Sequence, residues 1–127
     1  MKNEFWITIP VKNLKESTEF YKKSSFEIME APSGTVLIGG KKKVQIMLRE
    51  EANFKIISGT NDVSYGNEVI LSIQVESVEE IDQLASAVTI AGGEITTAPN
   101  WNGPMYGFDF KDIDGHKWNS LFYDRTK

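Results

Sequence analysis

Cysteine is absent from the 127-residue sequence, and histidine occurs once, as His116. Without cysteine the chain forms no disulfide and no thiolate metal site, and it has no cysteine nucleophile. A two-histidine, one-carboxylate iron site needs two imidazoles, which one chain cannot supply. A Ser-His-Asp triad would have to use His116. These scarcities exclude several common catalytic centres from a single chain.

A surplus of positive charge is also absent, since the net charge is −4. Nucleic-acid binding usually shows as a basic surplus or stripe. We interpret the one basic run, residues 41–43, as a hairpin tip and predict no nucleic-acid partner. The apolar runs are far shorter than the ~20 residues of a membrane span, and the N-terminus has no signal-peptide core. We therefore expect a cytoplasmic protein with no membrane partner.

What is present is an ordinary globular composition, with 40% hydrophobic and 25% charged residues. A chain of this length fits one domain, residues 1–127, and can bury roughly two-thirds of its unfolded surface. It needs neither disulfides nor metals to fold.

Two helices are predicted from periodicity and capping signals. Apolar residues recur at helical spacing over 78–91, Ser77 and Glu80 form a capping-box pattern, and residues 92–93 are both glycine. An earlier helix is predicted over 14–23 with Asn13 as its N-cap. This helix ends without glycine, so residues 24–25, both serine, must make the turn at a higher conformational cost.

The strands around these helices indicate an internal duplication. In both halves a valine, Val11 or Val75, stands two places before the helix N-cap. Strand-like segments precede each helix, at 5–11 and 68–75. Three more follow each helix, at 26–30, 34–39 and 43–49, and at 94–98, 105–111 and 117–123. The sequence predicts an α+β fold of two βαβββ modules, residues 4–49 and 68–123. Residues 50–67 connect them and hold a short helix or a flap.

Alternation along the strands separates a helix-facing set from a second, mixed set. The second set combines apolar groups with amides and hydroxyls, which suits either a small-molecule pocket or a protein contact. With one loop residue added, the predicted cup-lining residues are Trp6, Thr8, Gln45, Met47, Ile70, Ser72, Gln74, Trp101, Met105, Asp109, Asn119 and Leu121. Trp101 is predicted to lie in a loop over 99–104, where it is either a lid over the cup or a cap on the core edge.

The duplicated plan and several short motifs resemble the vicinal oxygen chelate superfamily, which includes glyoxalases, bleomycin-resistance proteins and extradiol dioxygenases. The motifs are 9–14 (IPVKNL), Ser17 with 20–21 (FY), 91–93 (AGG), 105–107 (MYG) and 114–118 (DGHKW). The chain looks most like small bacterial proteins labelled predicted lactoylglutathione lyase. The resemblance covers nearly the whole chain and implies a curved mixed sheet, or cup, and a homodimer.

The resemblance also implies four metal-binding positions in the cup. Here they are occupied by Trp6, Gln45, Ile70 and Asn119. Tryptophan and isoleucine cannot bind a metal, and two neutral amides are a poor site for Zn²⁺ or Ni²⁺. We therefore predict no metal and no other cofactor.

Asp109 is the best candidate for a catalytic residue. It is predicted to point into the cup, where a carboxylate could act as a general base or hold a cationic ligand; alternatively, it pairs with a neighbouring arginine or lysine. Gln45 and Asn119 either contact a ligand or bond to each other or across a dimer. Asp112, Asp114 and His116 are interpreted as turn residues.

Three functions remain open from the sequence. The favoured one is a metal-free module that binds a small molecule, as in the bleomycin-resistance branch. The second is a glyoxalase-type lyase or isomerase with a divergent metal or acid-base site. The third is a dimeric interaction protein without a ligand. The sequence identifies neither the ligand nor the exchange of modules within a dimer.

Overall fold

The computed structural model describes residues 5–32, 34–38, 44–66 and 68–126. The predicted hairpin tip at 41–43 lies outside these ranges. The elements in chain order are β1 (Phe5–Val11), α1 (Leu14–Lys23), β2 (Ile28–Ala31), β3 (Gly34–Ile38), β4 (Val44–Glu50), α2 (Glu51–Ser58), β5 (Ile70–Gln74), α3 (Val78–Ile90), β6 (Glu94–Asn102), β7 (Met105–Lys111) and β8 (Lys117–Tyr123).

The chain divides into two compact units, Met1–Ser64 and Tyr65–Lys127. The sheet of the first unit has the order β1-β4-β3-β2, and that of the second has the order β5-β8-β7-β6. In each sheet the first strand pairs in parallel with the last, and the other pairs are antiparallel. Both units have the βαβββ plan, which confirms the predicted α+β fold class.

The predicted N-caps begin both module helices. The side chain of Asn13 accepts a hydrogen bond from the Glu16 N–H at 3.0 Å, and that of Ser77 accepts one from the Glu80 N–H at 3.1 Å. The Glu80 side chain accepts a further hydrogen bond at 3.1 Å from the N–H of Glu76, the residue before the N-cap. Each cap satisfies a backbone donor that has no partner within the helix.

The two helices end with the same geometry on different residues. A left-handed residue follows each helix, Ser25 with φ 67° in the first unit and Gly92 with φ 100° in the second. The following N–H then bonds back to a carbonyl five residues earlier, from Phe26 to Tyr21 and from Gly93 to Val88. Serine pays a conformational cost there that glycine avoids, as the sequence predicted.

Each module helix contributes a buried stripe to its own core. In α1 the large buried side chains are Phe20 and Tyr21, whose rings meet edge to face. In α3 the buried stripe is Ile81, Leu84 and Val88. The second-unit sheet supplies Phe108, Phe110 and Trp118 to its core, where Phe110 stacks on both of its neighbours.

Residues 99–104 are not the loop that was predicted. β6 continues through Asn102, and only Gly103 and Pro104 form the turn into β7. The β6–β7 register shifts between Ile95 and Thr97 and again between Thr97 and Asn100. Pro99 is accommodated in the second irregular stretch of an edge strand, where no ladder donor is required.

Alternation predicts that Phe5, Ile7, Ile9 and Val11 of β1 lie on the helix-facing side, but this side is buried only at its C-terminal end. Ile9 and Val11 are buried, whereas Phe5 is 60% exposed and Ile7 is 37% exposed. Val44, beside Phe5 in β4, is exposed as well. Helix α1 has only ten residues and contacts mainly β3 and β4, so it leaves this end of β1 uncovered.

The segment joining the modules contains α2, which contacts β1 and β4. A hydrogen bond of 2.7 Å from Arg49 to the Asn53 side chain links this helix to β4. Among the described helices, none combines the length and apolar character needed to cross a membrane.

Candidate functional site

The second-unit sheet has one face that is covered by α3 and one that is not. Phe108, Phe110, Trp118 and Ser120 are buried on the α3 side. The alternate residues of β7 and β8 lie on the other side and are half-buried or exposed. This open face, which carries Asp109, Asn119 and their neighbours, is the candidate site.

A side-chain pair lies at the centre of the open face. Asp109 and Asn119 are directly opposite each other in β7 and β8, and the Asn119 amide donates to the Asp109 carboxylate at 2.9 Å. The hydrogen-bond partner of the Asp109 carboxylate is thus the Asn119 amide. Neither an arginine nor a lysine pairs with this carboxylate among the described residues. The other Asp109 oxygen has no hydrogen-bond partner within those residues.

An open pocket of about 660 Å³ adjoins this pair. This volume lies within the range of about 300–1,000 Å³ that is typical of small-molecule sites. The pocket is lined by Ile70, Ser72, Thr96, Asp109, Phe110, Lys111, Lys117, Trp118 and Asn119. We call it the Asp109–Asn119 pocket.

A smaller cleft of about 200 Å³ shares Asp109 and Asn119 with the larger pocket. Its other lining residues are Thr97, Asn100, Asn102, Met105, Gly107, Phe108 and Leu121. The carboxylate–amide pair therefore stands between two hollows of the same sheet face. A ligand in either hollow would find an acceptor at Asp109 and an amide at Asn119.

Strand register brings most of the predicted second-half residues to this face. Ser72 lies beside Asn119, and Gln74 lies beside Leu121. Ile70 lines the pocket and is 68% exposed, while Met105 lines the cleft. Gln74 shares the face but lines neither hollow.

Trp101 lies on the other side of the sheet, away from the pocket. It pairs in register with Tyr106, and their rings are 5.1 Å apart. The Tyr106 hydroxyl donates to Asp82 of α3 at 2.7 Å, which identifies this as the helix side. Trp101 was expected to line the cup because residues 99–104 were predicted to form a loop. β6 instead continues through Asn102, and its pairing places Trp101 on the helix side.

Sequence reasoning missed the contribution of β6 and of two lysines. Thr96, Thr97, Asn100 and Asn102 reach the two hollows because β6 is longer and more irregular than predicted. Lys111 and Lys117 have the same parity as Asp109 and Asn119. Continuing the every-second-residue pattern from Asp109 to Lys111, and from Asn119 back to Lys117, would have identified the lysines.

Gly107 allows β7 and β8 to lie close together at the cleft. A Cβ atom there would collide with the Ser120 carbonyl oxygen and lie 3.1 Å from the Leu121 Cα. The glycine is therefore required by the close approach of backbone, and it leaves the cleft floor without a side chain.

The first unit carries the remaining predicted residues on its own sheet. Trp6 is in register with Gln45, and Thr8 is in register with Met47, so each pair shares a face. Gln45 is only 7% exposed and has an interaction partner, whereas Trp6 is 49% exposed. The first-unit pair therefore differs in accessibility from its counterpart in the second unit.

The Asp-Gly segment forms the β7–β8 turn. One oxygen of Asp112 accepts from the N–H groups of Asp114 and His116, both at 2.9 Å. Gly115 adopts φ 94°, and the His116 ring lies 5.5 Å from that of Tyr65. All three polar residues of the turn are buried, so the structure gives them the structural role expected from the sequence.

The side chains do not fit the metal site that the fold suggests. Within the described ranges, no cluster of three or more His, Asp or Glu residues could hold an ion. In the first unit the corresponding positions are an indole and a buried amide. In the second unit they are Ile70 and an amide, which is hydrogen-bonded to the Asp109 carboxylate. This donor set is poor for a transition metal.

Comparison with protein families matches residues 5–119 to the Glyoxalase/Bleomycin resistance protein/Dioxygenase superfamily. The match begins at the first residue of β1 and ends within β8. The chain therefore belongs to this superfamily.

Among solved structures, the chain is similar to a hypothetical protein, SA1046, from Staphylococcus aureus. The two are 33% identical with a TM-score of 0.85, and the alignment covers 96% of this chain and 94% of the other. A superfamily enzyme from Burkholderia phytofirmans is 18% identical (TM-score 0.78, covering 93% and 96%). The fosfomycin resistance protein FosX from Mesorhizobium loti is 13% identical (TM-score 0.67, covering 98% and 92%). The last two share the fold alone. No curated protein sequence matches the chain.

Proposed function

We propose that this protein binds a small organic molecule in the Asp109–Asn119 pocket without using a metal. The observation that supports the proposal most strongly is the open, ligand-sized pocket next to a half-buried carboxylate–amide pair. Apolar walls with a few convergent polar groups are typical of ligand sites.

The pair at the centre of the pocket is suited to orient a ligand. Asn119 uses its NH₂ group to hold one oxygen of Asp109, which leaves the amide oxygen and the second carboxylate oxygen as acceptors. Both groups lie on paired strands, so their positions are fixed by the sheet. A ligand with a hydrogen-bond donor would satisfy acceptors that otherwise face solvent.

Membership of the superfamily supports one further part of the proposal, the oligomeric state. A homodimer is expected because members of this superfamily commonly dimerise. We also retain the expectations of a single cooperative domain and a cytoplasmic location as proposals. Dimerisation is measured by sedimentation equilibrium, where a mass near twice the 14.3 kDa of one chain is expected.

A ligand screen tests the binding proposal. A thermal-shift panel of small organic molecules should yield hits that raise the melting temperature, and titration should show saturable binding. Asp109→Asn should weaken the binding of a hit about tenfold, since it replaces a charged acceptor. Asp62→Asn is the matched control, because this exposed carboxylate makes the same change in charge and does not line the pocket. Equal affinities for both variants and the wild type would place the ligand elsewhere.

Elemental analysis separates the metal-free proposal from the metalloenzyme alternative. Protein purified without chelator should contain far less than one equivalent of Ni, Zn, Mn or Fe per chain, even after incubation with metal and desalting. About one equivalent would show that the side chains bind metal after all, and lyase and dioxygenase assays would follow.

A further inference from the structure

Two lysines stand directly opposite each other on the open face of the second-unit sheet. Lys111 ends β7, Lys117 begins β8, and their Cα atoms are register partners. Both side chains line the Asp109–Asn119 pocket. Like charges at directly opposite positions destabilise a sheet unless another group compensates for them.

The hydrogen-bond pattern of the β7–β8 ladder places the Cα atoms of these lysines at the shorter of the two separations found in an antiparallel pair. The Asp112 N–H donates to the His116 carbonyl, so the 112–116 pair is a hydrogen-bonded one. Pairs alternate along an antiparallel ladder, and the 111–117 pair is therefore of the non-hydrogen-bonded kind. In such pairs the Cα atoms are only about 4.5 Å apart.

Neither lysine forms an ion pair within the described part of the chain. Glu94, the register partner of Lys111 in β6, does not come within ion-pair distance of either lysine, and neither does Asp109 on β7. The neighbour of Lys117 in β5 is Ile70. Two lysines without an ion-pair partner among the described residues thus line the pocket, together with the single carboxylate of Asp109.

Hydroxyl groups complete the polar lining near the lysines. Ser72 and Thr96 line the same pocket, and neither hydroxyl has a hydrogen-bond partner among the described residues. Ammonium and hydroxyl groups are all hydrogen-bond donors. They are suited to the oxygens of a carboxylate or a phosphoryl group.

Building on the proposed function, we propose that the ligand is a small oxyanion, a carboxylate or phosphoryl compound, whose charged group lies between Lys111 and Lys117. Asp109 lies two residues from Lys111 on the same strand face, a separation of roughly 7 Å at strand rise. The rest of the ligand then extends toward Asp109, where a hydroxyl, amino or amide N–H group donates to the carboxylate.

Charged and neutral aromatic probes test this inference, and two of them, benzoate and benzamide, are isosteric. Benzoate and phenyl phosphate are titrated beside neutral benzamide at constant ionic strength, with ¹⁵N–¹H spectra as the readout. In the wild type both anions should bind at least tenfold more tightly than benzamide. Lys111→Gln combined with Lys117→Gln should remove this preference. Lys15→Gln combined with Lys23→Gln, two exposed lysines of α1, makes the same change in net charge and should preserve it.

Stability provides a second readout that a generic charge effect would not reproduce. Without any anion, Lys117→Gln should raise the melting temperature by roughly 1–3 °C, because it relieves the repulsion between the lysines. Saturating phenyl phosphate should stabilise the wild type and the α1 control, but not the double lysine variant.

Three results would overturn the inference. They are equal affinity for benzoate and benzamide, an anion preference that survives loss of both pocket lysines, and no saturable binding of any of these probes. If benzamide still binds in the pocket, either of the first two results leaves the proposed binding function intact. The ligand screen with Asp109→Asn tests that function independently.

Discussion

The two units share one backbone plan but present different surfaces at corresponding strand positions. In the first unit the amide on the last strand, Gln45, is almost fully buried beside an exposed tryptophan. In the second unit Asn119 is half-buried, bonds to Asp109 and lines an open pocket. Duplication has preserved the strand order while the side chains of the two sheets have diverged. This difference is the reason for placing the proposed ligand site in the second unit.

The residues that follow the two module helices also differ between the units, and this difference is expected to affect stability rather than the site. A left-handed residue is needed after each module helix, and it is serine in one unit and glycine in the other. The backbone requirement is the same, so the residue difference gives a direct measure of its cost.

The largest expected effect comes from matched deletions in the two cores. Phe20→Ala in the first unit and Phe108→Ala in the second each remove a fully buried ring and should cost about 3–5 kcal/mol of unfolding free energy. If the chain is a single cooperative domain, each variant shows one urea transition, shifted to lower denaturant. Two transitions, with only the mutated unit destabilised, would contradict that proposal.

The next effect tests the close strand approach that is found at the cleft. Gly107→Ala should cost about 2–3 kcal/mol, because its Cβ must push the β7 backbone away from Ser120. Ser86→Ala, at an exposed position of α3, is the control and should change stability by less than about 0.5 kcal/mol. Equal stabilities in urea denaturation would show that the two strands separate at little cost.

Exchanging the helix-end residues should produce smaller effects of opposite sign. Ser25→Gly should stabilise the protein by about 0.5–1 kcal/mol, and Gly92→Ala should destabilise it by about 1 kcal/mol. Space is not the obstacle at Gly92, where a Cβ would meet nothing closer than Ile113 at 3.7 Å. A loss of stability in Ser25→Gly would mean that the serine side chain contributes more than its backbone conformation costs.

The smallest effect is a pH dependence of stability caused by Tyr106 in the second unit. The hydrogen bond from Tyr106 to Asp82, with smaller contributions from desolvation and the Asp82 charge, raises the Tyr106 pKa above its ordinary value of 10.0. Since the protonated phenol is favoured in the folded state, its stabilising contribution is fully present below about pH 10. It is lost as the pH rises through the folded-state pKa.

Melting temperatures measured against pH test this assignment. The wild type should be more stable than Tyr106→Phe by a constant margin at neutral pH, and the margin should shrink above pH 10. Tyr123→Phe, on a tyrosine outside this hydrogen bond, is the comparison. A margin that does not change with pH would contradict the role of the phenol proton.

Much of the fold followed from the sequence because its signals are local. Helix boundaries were predictable from Asn13, Ser77 and the two glycines, and β7 and β8 from alternation between turn residues. The long β6 was not predictable, because Pro99 resembles a strand end and its accommodation depends on bulges formed against β7. The uncovered end of β1 depends on where α1 packs, which strand alternation does not reveal.

The site was partly predictable for the same reason. Parity along β7 and β8 placed Asp109 and Asn119 on one face, but their mutual hydrogen bond depends on pairing register. Of the two roles predicted for Asp109, pairing with a neighbouring arginine or lysine is not seen among the described residues, and its hydrogen-bond partner is the Asn119 amide. Trp101 was misplaced by an error in one strand boundary. Lys111 and Lys117 were passed over because each sits at a strand end beside turn residues.

The most direct test of the account is a chemical-shift map of a confirmed small-molecule hit on ¹⁵N-labelled protein. We expect the largest shifts in residues 70–74, 96–102, 105–111 and 117–121, around the Asp109–Asn119 pocket. Shifts confined to the first-unit strands at 5–11 and 44–50 would contradict it, because the ligand would then occupy the unit whose amide is buried.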